Sequence, residues 1–406
     1  MVHQLFGEKS GHFLRIPVFP ELQRKCAFFR LYRKKGLKFR QEYSIITESI
    51  LDIIFWILHQ KMKGAKTMQE IFGTLPSGEI TNLYTISGGG LTAAVSDYGA
   101  TLVRLLVPDS QGRLADVVLG YDDCNGYRQG SACLGATVGR SANRLKDASF
   151  CLDGRTYHLT PNEGSNNLHS GPDTYYTRLW TVAEHLENAI TLTLHSPDGD
   201  QGYPGNAKIR VTYYLDNDGG LHILYDAVSD KDTVFNLTNH SYFNLAGHQQ
   251  THTAMNQELT IPGQFFCPDD AQNIPTGELR SVEGTPMDFR SPKPICRDID
   301  QNYEPLHLQG GYDHNWEVFC QPCAILTDPV SGRSMSVTTD CPGVQFYAGN
   351  FLDETGKGGV SYGKRSGVAL ETQFYPDALH HPDWPQPITK AGQTYHSETI
   401  YRFSCL

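Results

Sequence analysis

Residues 68–406 read as an all-β domain, a large antiparallel β-sandwich. Three observations carry that reading. Short apolar runs alternate with turn signals from residue 90 to the C-terminus. Amphipathic helices of ordinary length are nearly absent after residue 68. The composition suits strands separated by turns, with 39 Gly, 22 Pro and 21 Tyr among 406 residues. Many antiparallel strands without interleaved helices close into a sandwich or a barrel. No low-complexity linker or internal repeat divides the segment, so a single domain is expected.

The elements follow in order. Leu91–Val95 and Thr101–Val107 are strand-like, and the turn Pro108-Asp-Ser-Gln-Gly112 separates the second from Ala115–Tyr121. Phe150–Tyr157 reads as a hairpin with Asp153-Gly154 as its two-residue turn. Ile209–Leu215 and Leu221–Val228 flank Asn217-Asp-Gly-Gly220, a second hairpin. Ala324–Thr327 and Met335–Thr339 flank Ser331-Gly332. Val368–Glu371 and Thr394–Ser404 complete the set. The last alternates polar and apolar positions, as a half-buried strand does.

Charge divides the chain. Residues 1–67 hold 13 Lys/Arg and 5 Asp/Glu, a net of +8, leaving 21 basic against 39 acidic residues and −18 for the rest. An acidic main domain lacks the basic footprint that nucleic acid requires and suits a neutral small molecule. Within residues 1–67, Arg24–Arg40 is basic with interleaved aromatics, and Ile45–Leu58 is apolar and helix-like. The apolar run is too short to span a bilayer, which needs about 20 residues, and stands too far in for a signal peptide. Met68 opens a fresh pattern and reads as the natural start, with residues 1–67 an extension outside the domain. A binding or anchoring arm is the alternative for that segment. The ten cysteines are scattered and read as reduced. Cys320-Gln-Pro-Cys323 has redox or zinc spacing but no second pair, so a structural role is expected.

Polar residues gather beside the strands in a few dense clusters. They are Gly139-Arg-Ser-Ala-Asn-Arg144, Asn166-Asn-Leu-His-Ser-Gly171, Thr238–Gly247, Gly311-Tyr-Asp-His-Asn315, Val344–Asn350 and Ala369–Tyr375. They supply the paired donors and acceptors that sugar hydroxyls need, and aromatic faces for C–H patches. They also supply acid–base groups: several histidines, and Glu371 directly after Val-Ala-Leu. Burial of Glu371 in that apolar strand would raise its pKa toward that of a useful general base. Taken singly, each residue has an ordinary explanation: His169 as a structural histidine, Asp313 as a turn cap, Arg144 as a surface ion pair.

In order and spacing these clusters resemble the galactose mutarotase (aldose 1-epimerase) family, from about Gly78 to the C-terminus. The carrying motifs are Arg140-Ser-Ala-Asn-Arg, Asn239-His-Ser-Tyr-Phe-Asn-Leu-Ala-Gly, Tyr312-Asp-His-Asn and Leu370-Glu-Thr-Gln. One departure is Leu168-His-Ser-Gly, where the family usually has Leu-His-Gly-Gly. The resemblance implies a mutarotase-like supersandwich that interconverts the anomers of free aldoses such as galactose and glucose. It implies His240 as general acid and Glu371 as general base, with His169 assisting near the ring oxygen. It implies Asn143, Arg144, His169, Ser241, Tyr242, Asp313 and Gln345 as sugar-binding residues.

No cofactor, metal, nucleic-acid or membrane partner is expected, and the protein would be a monomer or homodimer. The sequons Asn236-Leu-Thr and Asn239-His-Ser point to a cytoplasmic enzyme, because a glycan on the second would block the site. Four rival readings stand beside this one. A non-catalytic sugar module would bind without turnover. A glycoside hydrolase would use Asp313 and Glu371 and leave His240 without a task. A hexose-phosphate epimerase would want more cations than Arg140 and Arg144. A metal enzyme built on His248 and His252 lacks the glutamate of the zinc-protease motif.

Overall fold

Strand alternation decides which residues face the core and which are left for chemistry. The computed structural model describes residues 68–406; the expectations for residues 1–67 lie outside them. Three large antiparallel sheets build the domain. A five-stranded sheet runs in chain order from Met68–Thr74 to Leu114–Asp116. A nine-stranded sheet is centred on Gly220–Ser229 and Thr394–Cys405, which pair along their length. A six-stranded sheet has the order Tyr242–Phe243, Val368–Gln373, Gly343–Tyr347, Asp313–Glu317, Phe265–Cys267, Arg280–Ser281. The α-helices among the described residues are two six-residue segments, Cys124–Gln129 and Glu304–Gln309.

One continuous core joins the three sheets. It takes Ile86, Val95 and Leu105 from the first, Val211, Ile223 and Tyr401 from the second, and Trp316, Phe346 and Leu370 from the third. The expected hairpins are present. Asp153 and Gly154 both have positive φ (51° and 77°), as a two-residue hairpin turn demands. Ala207–Leu215 and Gly220–Ser229 pair in full around the Asn217–Gly219 turn.

The run expected at Ala115–Tyr121 is shorter and forms a strand only over Leu114–Asp116. The Asp116 carboxylate accepts from Leu105 N–H and from the buried Lys357 ammonium. That anchor turns the chain out of the sheet, and Val118 makes a single bridge to Phe243.

The six-stranded sheet sets the site. Val344, Phe346, Val368 and Leu370 point into the core. Their neighbours Gln345, Tyr347, Ala369 and Glu371 must point to the opposite face, because successive side chains alternate. Register lines those residues up across the strands. Asn315 faces Gln345, which faces Glu371; Asp313 faces Tyr347, which faces Ala369, which faces Tyr242.

Candidate active site

A cavity of about 230 Å³ opens on this face. Drug-sized ligands take about 300 Å³ or more, so the space suits a single sugar ring. Its walls include Asn143, Arg144, His169, His240, Tyr242, Asp313 and Glu371. Of the nine residues expected from sequence, these seven line it. Ser241 follows His240 on the strand and points away; its hydroxyl and its N–H both donate to Asn239 Oδ1. Gln345 supports from behind, donating from Nε2 to Asp313 Oδ1 at 2.7 Å.

His240 and Glu371 meet at the cavity floor, with Nε2 of the histidine 3.5 Å from Oε1 of the glutamate. Both are almost wholly buried. Burial raises the Glu371 pKa well above the usual carboxylate value; the Asp313 charge adds to this and Arg144 opposes it. Burial also lowers His240, to about 4. His240 Nδ1 and Glu371 Oε2 find no protein partner. Both atoms are therefore free to bond a molecule in the cavity.

His169 stands edge-on to His240, ring centroids 5.6 Å apart. Its residue has φ 54°, as does Asn143 at 58°, a left-handed pair whose backbones interlock. Asn143 N–H donates to His169 Nδ1 at 3.1 Å, and His169 N–H donates to the Asn143 carbonyl at 3.0 Å. An accepting Nδ1 leaves the hydrogen of the neutral ring on Nε2, so His169 presents a donor. Burial, with the charges of His240 and Arg144, keeps that ring neutral. Tyr242 and Tyr347 pack at 4.9 Å and 6.3 Å from His240 and supply apolar faces.

The Arg-Ser-Ala-Asn-Arg cluster splits by function. Arg140 is fully buried away from the cavity and donates to the carbonyls of Pro204 and Gly205. Arg144 lines the cavity and forms a two-pronged pair with Glu163 at 2.6 and 2.9 Å. It is therefore no loose surface ion pair.

A family model for aldose 1-epimerase matches residues 82–402. The chain belongs to the aldose 1-epimerase family. It is 43% identical over 344 residues to a galactose mutarotase of Bos taurus, covering 82% of this chain and 97% of that one. It is 36% identical to an aldose 1-epimerase of Escherichia coli, covering 81% and 96%. Among solved structures, an aldose epimerase homologue from C. elegans superposes with a TM-score of 0.75 at 33% identity, covering 80% of this chain and 99% of that one. A galactose 1-epimerase from Lactobacillus acidophilus gives 0.73 at 28%, covering 84% and 99%.

Ser170, where aldose 1-epimerases usually have glycine, is accommodated in this member. It keeps the left-handed backbone, with φ 58°. Its hydroxyl donates to the Ser141 carbonyl at 2.9 Å and accepts from Ser141 N–H at 2.8 Å. The serine therefore staples the His169 loop to the Asn143 loop. Ser170→Ala should lower stability by about 1 kcal/mol, because it removes both hydrogen bonds to the partly buried Ser141 backbone. Denaturant unfolding of the two proteins measures this.

His169, His240 and Glu371 are also the residues that could gather a metal ion, with ligand atoms within 4.8 Å of one another. The Asn143 donor argues against it, since it places hydrogen on the His169 nitrogen that a metal would need. His248 and His252 form no such group: His248 Nδ1 is bonded to the Tyr362 hydroxyl and His252 is exposed. Sequence reasoning missed Cys133, Tyr347 and Phe351 on the cavity wall, and Glu163 behind it. Tyr347 was legible, being two residues beyond Gln345 on the same strand face.

Proposed function

We propose that this aldose 1-epimerase interconverts the α and β anomers of free aldoses such as galactose and glucose. The buried His240–Glu371 pair carries the reading. A neutral sugar seated between them offers the anomeric hydroxyl to Glu371 and the ring oxygen to His240. Glu371 takes the hydroxyl proton as His240 protonates O5. The C1–O5 bond breaks and leaves the open-chain aldehyde. Rotation about C1–C2 presents the other carbonyl face, and reclosure with the roles reversed gives the other anomer. The pair carries a single proton. In the empty site it rests on Glu371, whose pKa stands above that of His240, and it passes to His240 Nε2, 3.5 Å away, before the ring opens. One proton is held before and after each half-reaction, so none is exchanged with water. Asn143, Arg144, His169, Tyr242 and Asp313 hold the ring, with His169 Nε2–H as a second donor near O5. We place the enzyme in the cytoplasm. The cysteines of the described residues are free, and Asn236 and Asn239 are buried, which closes both sequons to glycosylation. Among the described residues no helix is long and apolar enough to cross a membrane.

Polarimetry on freshly dissolved α-galactose tests the reading: the protein should accelerate equilibration far beyond the spontaneous rate. A chromogenic galactoside should stay intact, which a hydrolase would cleave.

The pH profile follows from the pair. Below about pH 4 His240 takes a second proton and no base is left. Above the raised pKa of Glu371 the pair loses its only proton and no acid is left. After subtraction of the spontaneous rate, activity should form a bell with its acid limb near pH 4 and its alkaline limb well above 4.5.

A further inference from the structure

We propose that Glu163 is a specificity-determining residue that restricts the cavity to uncharged sugars by cancelling the charge of Arg144; this rests on reading the cavity as the aldose site. Arg144 is the permanent cation among the residues that line it, and the carboxyl groups of Asp313 and Glu371 line it too. Glu163 covers the guanidinium with a fork, Oε2 on Nε at 2.6 Å and Oε1 on Nη2 at 2.9 Å, leaving Nη1 outside the pair. Paired donors of this geometry are directional and strong. The Arg144 side chain is 12% exposed and that of Glu163 34%, so the guanidinium is largely shielded while solvent reaches the outer side of the carboxylate.

The turn that presents Glu163 is locked in place. Glu163 N–H donates to the Asn166 carbonyl and Asn166 N–H donates back. Asn162 accepts from Leu168 N–H at 2.7 Å and donates to its carbonyl at 3.0 Å. Leu168 pairs with Arg144 in the strand register. The turn is thus fastened to both strands that deliver Arg144 and His169. With the Arg144 charge cancelled, the ionisable groups that face a bound sugar are acids and neutral imidazoles. A sugar carrying a carboxylate would bring its charge into this buried site and find no free cation to pair with it, which disfavours its binding. Without Glu163, the cavity would gain a full positive charge and two uncovered N–H donors.

The test compares D-galacturonate with D-galactose on the wild type, Glu163→Gln and Glu163→Asp. Calorimetry gives the ratio of the two dissociation constants, and galacturonate inhibition of galactose mutarotation gives it again. The wild type should favour galactose. Glu163→Gln should move the ratio toward galacturonate by about tenfold, less at high salt. Glu163→Asp should keep most of the wild-type preference. A folded Glu163→Gln with an unchanged ratio, weaker for both sugars alike, would show that Glu163 only props Arg144 and would overturn the proposal. So would a wild type that binds both sugars equally. Binding ratios decide the matter without turnover, so a wild type that fails to accelerate galactose would sink the mutarotase reading separately.

Discussion

Glu371→Gln is expected to keep the fold and lose nearly all turnover. Glutamine fills the same volume on Val368–Gln373, in the middle of the six-stranded sheet. It cannot accept the anomeric proton as a base. A positioned proton transfer is typically worth about 10²–10⁴ in rate, and here it starts the only bond-breaking step. The substitution should not weaken the fold. Glu371 has a folded pKa raised by burial. An acid of this kind costs stability once pH rises past its unfolded value of about 4.3, until the folded pKa is reached. The neutral amide removes that cost at pH 7. Glu371→Gln should melt at or above the wild-type temperature while mutarotation falls to near the spontaneous rate. A wild-type rate in the folded variant would remove Glu371 from the chemistry.

His240→Asn should cost about as much, 10²–10⁴-fold, for the complementary reason. Asparagine keeps a polar group at the cavity floor but cannot deliver a proton to O5. It also removes the titration assigned to the acid limb, so whatever activity persists should lose the inflection near pH 4. Combining the two substitutions should cost little more than either alone, because acid and base act on one sugar as a unit. Polarimetry across pH on both single variants and the double variant measures this. Fully additive losses would mean that the two residues act in separate steps.

Much of the fold was legible because its turns are chemically explicit. Asp153-Gly154 and Asn217–Gly219 can adopt positive φ, so their hairpins were readable without tertiary knowledge. The end of the strand at Asp116 was not, because it depends on Lys357, some 240 residues away in sequence and adjacent in space. In the site, Glu371 was legible as a carboxylate in an apolar strand. Ser241 was misplaced for want of the alternation rule: His240 and Tyr242 share a face, and Ser241 takes the other. Glu163 gave no signal. It sits in a polar turn of ordinary composition, and its contact with Arg144 arises only when the two short strands Arg144–Leu145 and Asn167–Leu168 pair. Gly88, too, is explained only in three dimensions: a Cβ there would lie 2.8 Å from the Leu215 carbonyl oxygen.

His240 and Glu371, on the proposed mechanism, open and reclose the sugar ring together. Exchange spectroscopy by NMR on equilibrated D-galactose tests that mechanism most directly, because it reports α-to-β conversion with no net reaction and no coupling enzyme. The wild type should give exchange cross-peaks between the anomeric protons, and Glu371→Gln and His240→Asn should each give spontaneous-rate exchange. Spontaneous-rate exchange with the wild type, or undiminished exchange with either folded variant, would contradict it.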